Sequence, residues 1–301
     1  MTTALLPVFG LILLGMFLSW KSFPGDSFWP QAEKVTYYLL FPALLVGKLA
    51  SAETGAVDVA RVAVLVVSFL LAGSVLLLLL QRLMGWPGAR FTSIYQGGIR
   101  FNTYVGLATV SQLLGDDAVA VAAVTIALMI PLINLLCIGV FAIYAGADRP
   151  TPLKVLRQIF TNPLIMACVI GIGWNLLELP WPDALGLFMQ LLGQTALPMG
   201  LLAVGAGIQL SALRGGSVAL IWSSLVKLVV LPVIVMVLCL LTGTDGTTRD
   251  VLLIMAVLPT ASSAYILARQ LGGDAPLMAA LISAQTLLAM LTMPLLLGVL
   301  L

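Results

Sequence analysis

The chain has 301 residues, 61% of them hydrophobic and only 9% charged, with a mean hydropathy of +1.14. No soluble domain of this size needs so much apolar surface, and a formal charge of +2 offers no basic footprint for nucleic acid. Histidine is absent, which removes the commonest proton shuttle and metal ligand, so no cofactor or metal is expected.

Uninterrupted apolar stretches approach the ~20 residues that cross a bilayer as a helix. Lipid offers backbone N–H and C=O groups no partner, so these spans are expected to be helices. Breaks at turn residues and charges predict an all-α integral membrane protein of ten spans. Five lie near 4–20, 34–50, 59–81, 92–113 and 118–145, and five near 157–177, 184–210, 217–241, 250–271 and 276–300. The first has no basic region ahead of it and reads as a retained span, not a cleaved signal. Cys137, Cys168 and Cys239 fall in separate spans and read as small core residues.

Span four runs Ile94-Tyr95-Gln96-Gly97-Gly98-Ile99-Arg100-Phe101-Asn102-Thr103-Tyr104-Val105-Gly106. Its glycine pair weakens the helix, and an uncompensated arginine at that depth costs at least ~2.5 kcal/mol. In span five, Asn134 beside Pro131 reads as an interhelical hydrogen bond. Span eight carries Lys227 ahead of Pro232; it either lines a cavity or snorkels to an interface. Span nine contains Leu258-Pro259-Thr260-Ala261-Ser262-Ser263-Ala264-Tyr265, where Pro259 removes a backbone donor. Ser283, Gln285 and Thr286 of span ten either line a site or pack helices.

The chain repeats itself. Gln112-Leu113-Leu114-Gly115-Asp116 recurs as Gln270-Leu271-Gly272-Gly273-Asp274, offset by 158. Upstream the offset is 156, pairing Pro7 with Pro163, Gly15 with Gly171, Pro42 with Pro198 and Leu45 with Leu201. Two five-helix repeats, 1–148 and 149–301, follow. Five is odd, so like-folded halves must enter the membrane from opposite sides. Charges agree: Lys21 and Lys34 flank one loop, Glu178 and Asp183 its counterpart. One face collects Lys21, Lys34, Arg82, Arg90, Arg149, Lys154, Arg157, Arg214 and Arg269, and the other only Lys48, Arg61 and Arg249. This places the first face in the cytoplasm and both termini outside a cell inner membrane.

Spans four and nine are expected to unwind into half-helices that cross. Unwound backbone survives at that depth only inside protein or along a cavity. Half-helix N-termini there favour an anion, and Asn102, Thr103, Ser262 and Ser263 add side-chain hydrogen bonds. Arg100 and Lys227 make a cationic lining, because no carboxylate lies centrally in any span. Gln112 and Gln270 either face the cavity or merely end their helices. Read singly, each break is an ordinary membrane-helix kink; matched in a repeat, the two favour a substrate site.

The stretch Arg100-Phe101-Asn102-Thr103-Tyr104-Val105-Gly106-Leu107-Ala108 resembles the Arg-x-Asn-x-Tyr-x-Gly segment of the auxin efflux carrier (PIN-like) family. So do Leu197-Pro198-Met199-Gly200-Leu201-Leu202-Ala203-Val204-Gly205 and the run from Pro259 to Gln270. The resemblance implies two inverted five-helix repeats, related to bile-acid and sodium/proton carriers. It also implies a scaffold of spans one, two, six and seven, often dimeric, and a moving domain of spans three to five and eight to ten. Asn102 and Tyr104 match the first crossing segment, and Pro259 and Thr260 the second. Many relatives have asparagine where this chain has Ser263. The long loop of plant members is replaced by Gly146 to Lys154 or so.

Together these features predict a carrier of small organic anions, malonate- or malate-like or an indole acid, working by an elevator motion. An anion channel or receptor is one competitor. An intramembrane enzyme is another, but Asp116 and Asp274 sit at helix ends on opposite faces and cannot form one dyad.

Overall fold

The computed structural model describes residues 2–25, 27–51, 58–146, 151, 153, 157, 160–180, 182–215 and 218–301, with side chains from Leu5 onward and not at 214 and 215. Arg149 and Lys154, assigned above to loops, lie outside the described residues, as does the side chain of Arg214. Among the described residues every regular element is a helix.

In chain order these are α1 (Thr2–Trp20), α2 (Phe28–Val35), a π-turn (Thr36–Leu40), α3 (Phe41–Ala50), α4 (Val59–Met84), α5 (Gly88–Ile99), α6 (Thr103–Leu114) and α7 (Ala118–Tyr144). There follow α8 (Pro163–Leu176), α9 (Asp183–Ala206), a short 3₁₀ segment (Leu210–Gly215), α10 (Val218–Leu225), a second π-turn (Val226–Val230) and α11 (Leu231–Thr242). The last are α12 (Gly246–Val257), α13 (Ser263–Leu271) and α14 (Ala275–Leu300). Five segments are long and apolar enough to cross a membrane: α4, α7, α9, α14 and the continuous Val218–Thr242. Shorter apolar helices cover Leu5–Trp20 and Pro163–Leu176.

Local chemistry explains the joints. Both π-turns precede a proline, Pro42 or Pro232, which has no N–H for the carbonyl four residues back. The wider turn carries the helix past that gap, with the Phe41 N–H donating to Thr36 O and the Leu231 N–H to Val226 O. Asn162 caps α8 by accepting from the N–H groups of Leu164 and Ile165, with Pro163 at the first helical position. Asp274 caps α14 through the Leu277 N–H at 3.0 Å.

The chain divides into two compact units. The first comprises Met1–Val59, Tyr104–Ala127 and Leu156–Gly207. Within it α1 packs along α9, and α3 along α8 and α9. Glycines permit backbone to approach backbone: a methyl on Gly15 would overlap the Leu202 carbonyl, and one on Gly205 that of Ile12. Likewise a methyl on Gly171 would stand 3.2 Å from the Val46 backbone and 2.8 Å from Leu49 Cβ. These contacts are reciprocal. Shifting Gly15–Leu202 by the 156-residue offset turns it into Gly171–Val46 with the partners exchanged.

The second unit comprises Ala60–Thr103, Leu128–Val155 and Ile208–Leu301. Short polar ties hold its helices: Ser74 with Tyr95 at 2.7 Å, Ser223 Oγ donating to Ile94 O at 2.9 Å, and Ser93 Oγ donating to Asp274 O at 2.9 Å. Each satisfies a hydroxyl that the apolar interior would otherwise leave unpaired.

Candidate functional site

Both expected interruptions occur, and both lie in the second unit. After α5 the backbone is non-helical from Arg100 to Asn102, and after α12 from Leu258 to Ala261. The two leading helices are twelve residues each, with bounds offset by 158 (Gly88 to Gly246, Ile99 to Val257). Leu258 is extended (φ −68°, ψ 146°), as the residue before a proline must be.

One expectation needs correction. Gly97 and Gly98 do not unwind; they are helical residues of α5. They are small because neighbours come close: a Cβ on Gly97 would lie 2.5 Å from Ser223 Oγ, and one on Gly98 2.7 Å from Leu77 Cδ1. The break falls one turn later.

Where a helix stops, its last carbonyls lack intrahelical partners. Here the second interrupted segment serves the first. Gly97 O accepts from Thr260 Oγ1 at 2.8 Å and from Gln285 Nε2 at 3.0 Å. Gln285 Oε1 accepts from the Thr260 N–H at 3.1 Å, and Pro259 O accepts from the Asn102 N–H at 2.8 Å. Thr260 and Gln285 are fully buried, so this bracket ties the two unwound segments together inside the protein.

Arg100 is 8% exposed. Its guanidinium donates to Asn134 Oδ1 on α7 and, at 3.4 Å, to Ser263 Oγ in the first turn of α13. No carboxylate pairs with it among the described residues. Its Nε is buried without a partner. A cation held by neutral groups beside a helix N-terminus makes a locus of positive potential.

Arg100, Asn102, Pro259, Thr260, Ser263 and Gln285 are thus brought together. Ser262 precedes α13, and Thr103 opens α6. Lys227 sits in the second π-turn, which packs against α5, α12 and α14; it is 1% exposed, and no hydrogen bond or ion pair reaches its amine among the described residues. That burial excludes snorkelling. Tyr104 belongs to the first unit, stacked on Phe41 with ring centroids 4.7 Å apart. Gln112 and Gln270 are exposed on α6 and α13 and share no hydrogen bond with the crossing, so the structure does not join them to it. Ser283 Oγ accepts from the Gln209 N–H at 2.9 Å, and Thr286 bonds its own helix.

Sequence reasoning left two residues unassigned to this site. Asn134 reads as an interhelical bond, which it is, but to Arg100 itself. Gln96 is fully buried with neither amide atom hydrogen-bonded, and a glutamine one turn before the arginine was the available signal.

A chain of apolar helices with polar breaks at matched positions is a multi-pass membrane protein of the transporter class. Residues 148–297 match the family model described as membrane transport protein, and the chain belongs to that family, the auxin efflux (PIN-like) transporters. The matched region contains the Leu197–Gly205 and Pro259–Gln270 blocks, whereas Arg100–Ala108 precedes it. No curated protein matches the chain.

Proposed function

We propose that this membrane transporter is a secondary carrier of small organic anions in the cell inner membrane, bound at the crossing of the two interrupted helices. Arg100 is the observation that carries the reading: a buried guanidinium with no carboxylate partner among the described residues, at the tip of α13, suits a substrate carboxylate. Asn102, Thr103, Ser262 and Ser263 supply polar contacts, Pro259, Thr260 and Gln285 hold the strands, and Lys227 adds positive charge in the same unit.

In this reading the chain crosses the membrane ten times as two inverted five-helix repeats, with both termini outside. The reciprocal glycine contacts support a two-fold relation between the halves. Spans one, two, six and seven act as a scaffold that pairs two copies. Spans three to five and eight to ten carry the anion by an elevator-type motion, in the direction of export. The compact units agree with that division for α1, α2, α3, α8 and α9 and for α4, α5 and α10 to α14, but group Tyr104–Ala127, most of α6 and the start of α7, with the former set.

The test is uptake and counterflow of labelled carboxylates in proteoliposomes. Arg100→Ala, Asn102→Ala and Pro259→Ala should each abolish uptake while the protein still elutes as a folded species. Unchanged transport in all three removes the crossing as the site. Counterflow with saturating, slow flux separates a carrier from a pore. Cysteine labelling that puts Lys21 and Glu178 on the same side of the membrane would overturn the inverted topology.

A further inference from the structure

The first unit contains a cavity of about 650 Å³ that the crossing does not use. One face of α9 lines it at helical spacing, Asp183, Gly186, Gln190, Gly193, Gln194 and Leu197, opposite Ala43 to Ser51 of α3 and the segment from Leu107 to Val119. Its volume lies within the range of small-molecule pockets. Its walls are divided, with Leu44, Leu107 and Met189 apolar, and Lys48, Ser111, Asp116, Asp183, Gln190 and Gln194 polar.

Among the described residues, Lys48 is the only lysine or arginine that lines it. Its Nζ meets Asp116 Oδ2 at 2.6 Å, and Asp116 Oδ1 accepts from Ser111 Oγ at 3.0 Å. A half-exposed ammonium in a small-molecule cavity is thus occupied by a carboxylate of the chain itself.

The repeat gives this pairing its meaning. Asp116 and Asp274 are the matched aspartates of the pentapeptide repeat. Asp274 does structural work, capping α14 and seating against α5 through its N–H to Ala89 O at 3.0 Å. Asp116 is directed instead to Lys48, whose own repeat position, 156 residues on, is Val204. Both members of the pair therefore depart from the arrangement of the other half. Asp116 is also 64% exposed on its side chain, so release costs little.

We infer that this cavity is a second, self-occupied carboxylate site, in which a small organic carboxylate displaces Asp116 from Lys48. The ligand's carboxylate takes the Lys48 ammonium, Gln190 and Gln194 hydrogen-bond it, and its apolar body lies on Leu44, Leu107 and Met189. One cation allows one carboxylate at a time. Asp116 acts as an internal competitor that keeps the site weak and free of inorganic anions. The inference extends the organic-anion reading to a second place on the chain.

Equilibrium binding of labelled indole-3-acetate to the purified full chain tests it, with benzoate and chloride as competitors. Asp116→Asn should tighten binding about tenfold, since a competitor that holds Lys48 nine-tenths of the time lowers apparent affinity by that factor. With the crossing disabled by Asn102→Ala, Lys48→Gln, and Lys48→Met as a variant that keeps the apolar stem, should remove the remaining binding whether residue 116 is Asp or Asn. Thermal unfolding checks that each is folded. Binding in Asp116→Asn that is absent, or no tighter than wild type, overturns the proposal, as does undiminished binding without Lys48. Asn102→Ala separates the two readings. There the cavity still binds the probe if this inference holds, whatever happens to uptake; loss of uptake with binding retained leaves both standing, and intact uptake removes the crossing site alone.

Discussion

In the first unit, matched residues of the two halves do matched jobs; in the second, at the crossing, they do not. Gly15 and Gly171 each admit a helix from the other half, against Leu202 and Val46, positions that are themselves repeat mates. At the crossing the Asn102 N–H donates to Pro259 O, and the mirror-image bond would run from the Thr260 N–H to Phe101 O. It does not form. The Thr260 N–H goes to the Gln285 side chain, and the arginine at position 100 has Leu258 as its mate. Packing between repeats tolerates symmetry because it needs only shape. A polar crossing, where each buried group must find its own hydrogen-bond partner, is less free to keep it.

The difference can be tested by substituting repeat mates in parallel. The largest effect is expected at the glycines. Gly15→Ala forces a methyl into the Leu202 backbone and should destabilise by about 3 kcal/mol, with Gly171→Ala close behind, read by thermal unfolding of the purified protein. Equal losses at the two sites would confirm that the interface is two-fold. A large loss at only one would break the comparison.

The crossing should respond unequally. Gln285→Leu leaves the buried Thr260 N–H without an acceptor and removes one of two donors to Gly97 O, a cost of about 2 kcal/mol, with uptake lost. Next comes Arg100→Lys, which keeps the charge and loses the fork that reaches Asn134 and Ser263 together. Uptake should fall at least about tenfold with little change in unfolding temperature, since each 1.4 kcal/mol is a factor of ten. Full activity in that variant would show that only charge matters there.

The smallest effects separate the matched aspartates. Asp274→Ala removes a helix cap and should cost about 1 kcal/mol, whereas Asp116→Ala should be nearly neutral. The Lys48 ammonium holds the Asp116 carboxyl below its ordinary range. Its small contribution is therefore present above the usual carboxylate value and lost as pH falls through the depressed one. Unfolding temperatures of wild type and Asp116→Ala should converge in acid and separate slightly at neutral pH.

Much of this was legible along the chain. Apolar runs identify membrane helices because a bilayer sets one length and one polarity for all of them. The positions of both interruptions follow from Arg100-Phe101-Asn102 and Leu258-Pro259-Thr260, since a proline or a buried charge disturbs a helix wherever it stands. The 158-residue repeat is visible without coordinates. By contrast, Gly97-Gly98 stay helical: glycine weakens a helix on average, but here Ser223 and Leu77 occupy the space beside it, and that is a fact about neighbours far away in sequence.

The remaining assignments were tertiary throughout. Gln285 as the partner of both interrupted strands, Asn134 as the anchor of Arg100, and Asp116 as the occupant of Lys48 join residues 25 to 188 positions apart or on different helices. Residue types along a chain determine which groups cannot face lipid unpaired. Which partner each one finds is decided only when the helices come together, because hydrogen-bond geometry depends on ångström distances that no local pattern carries.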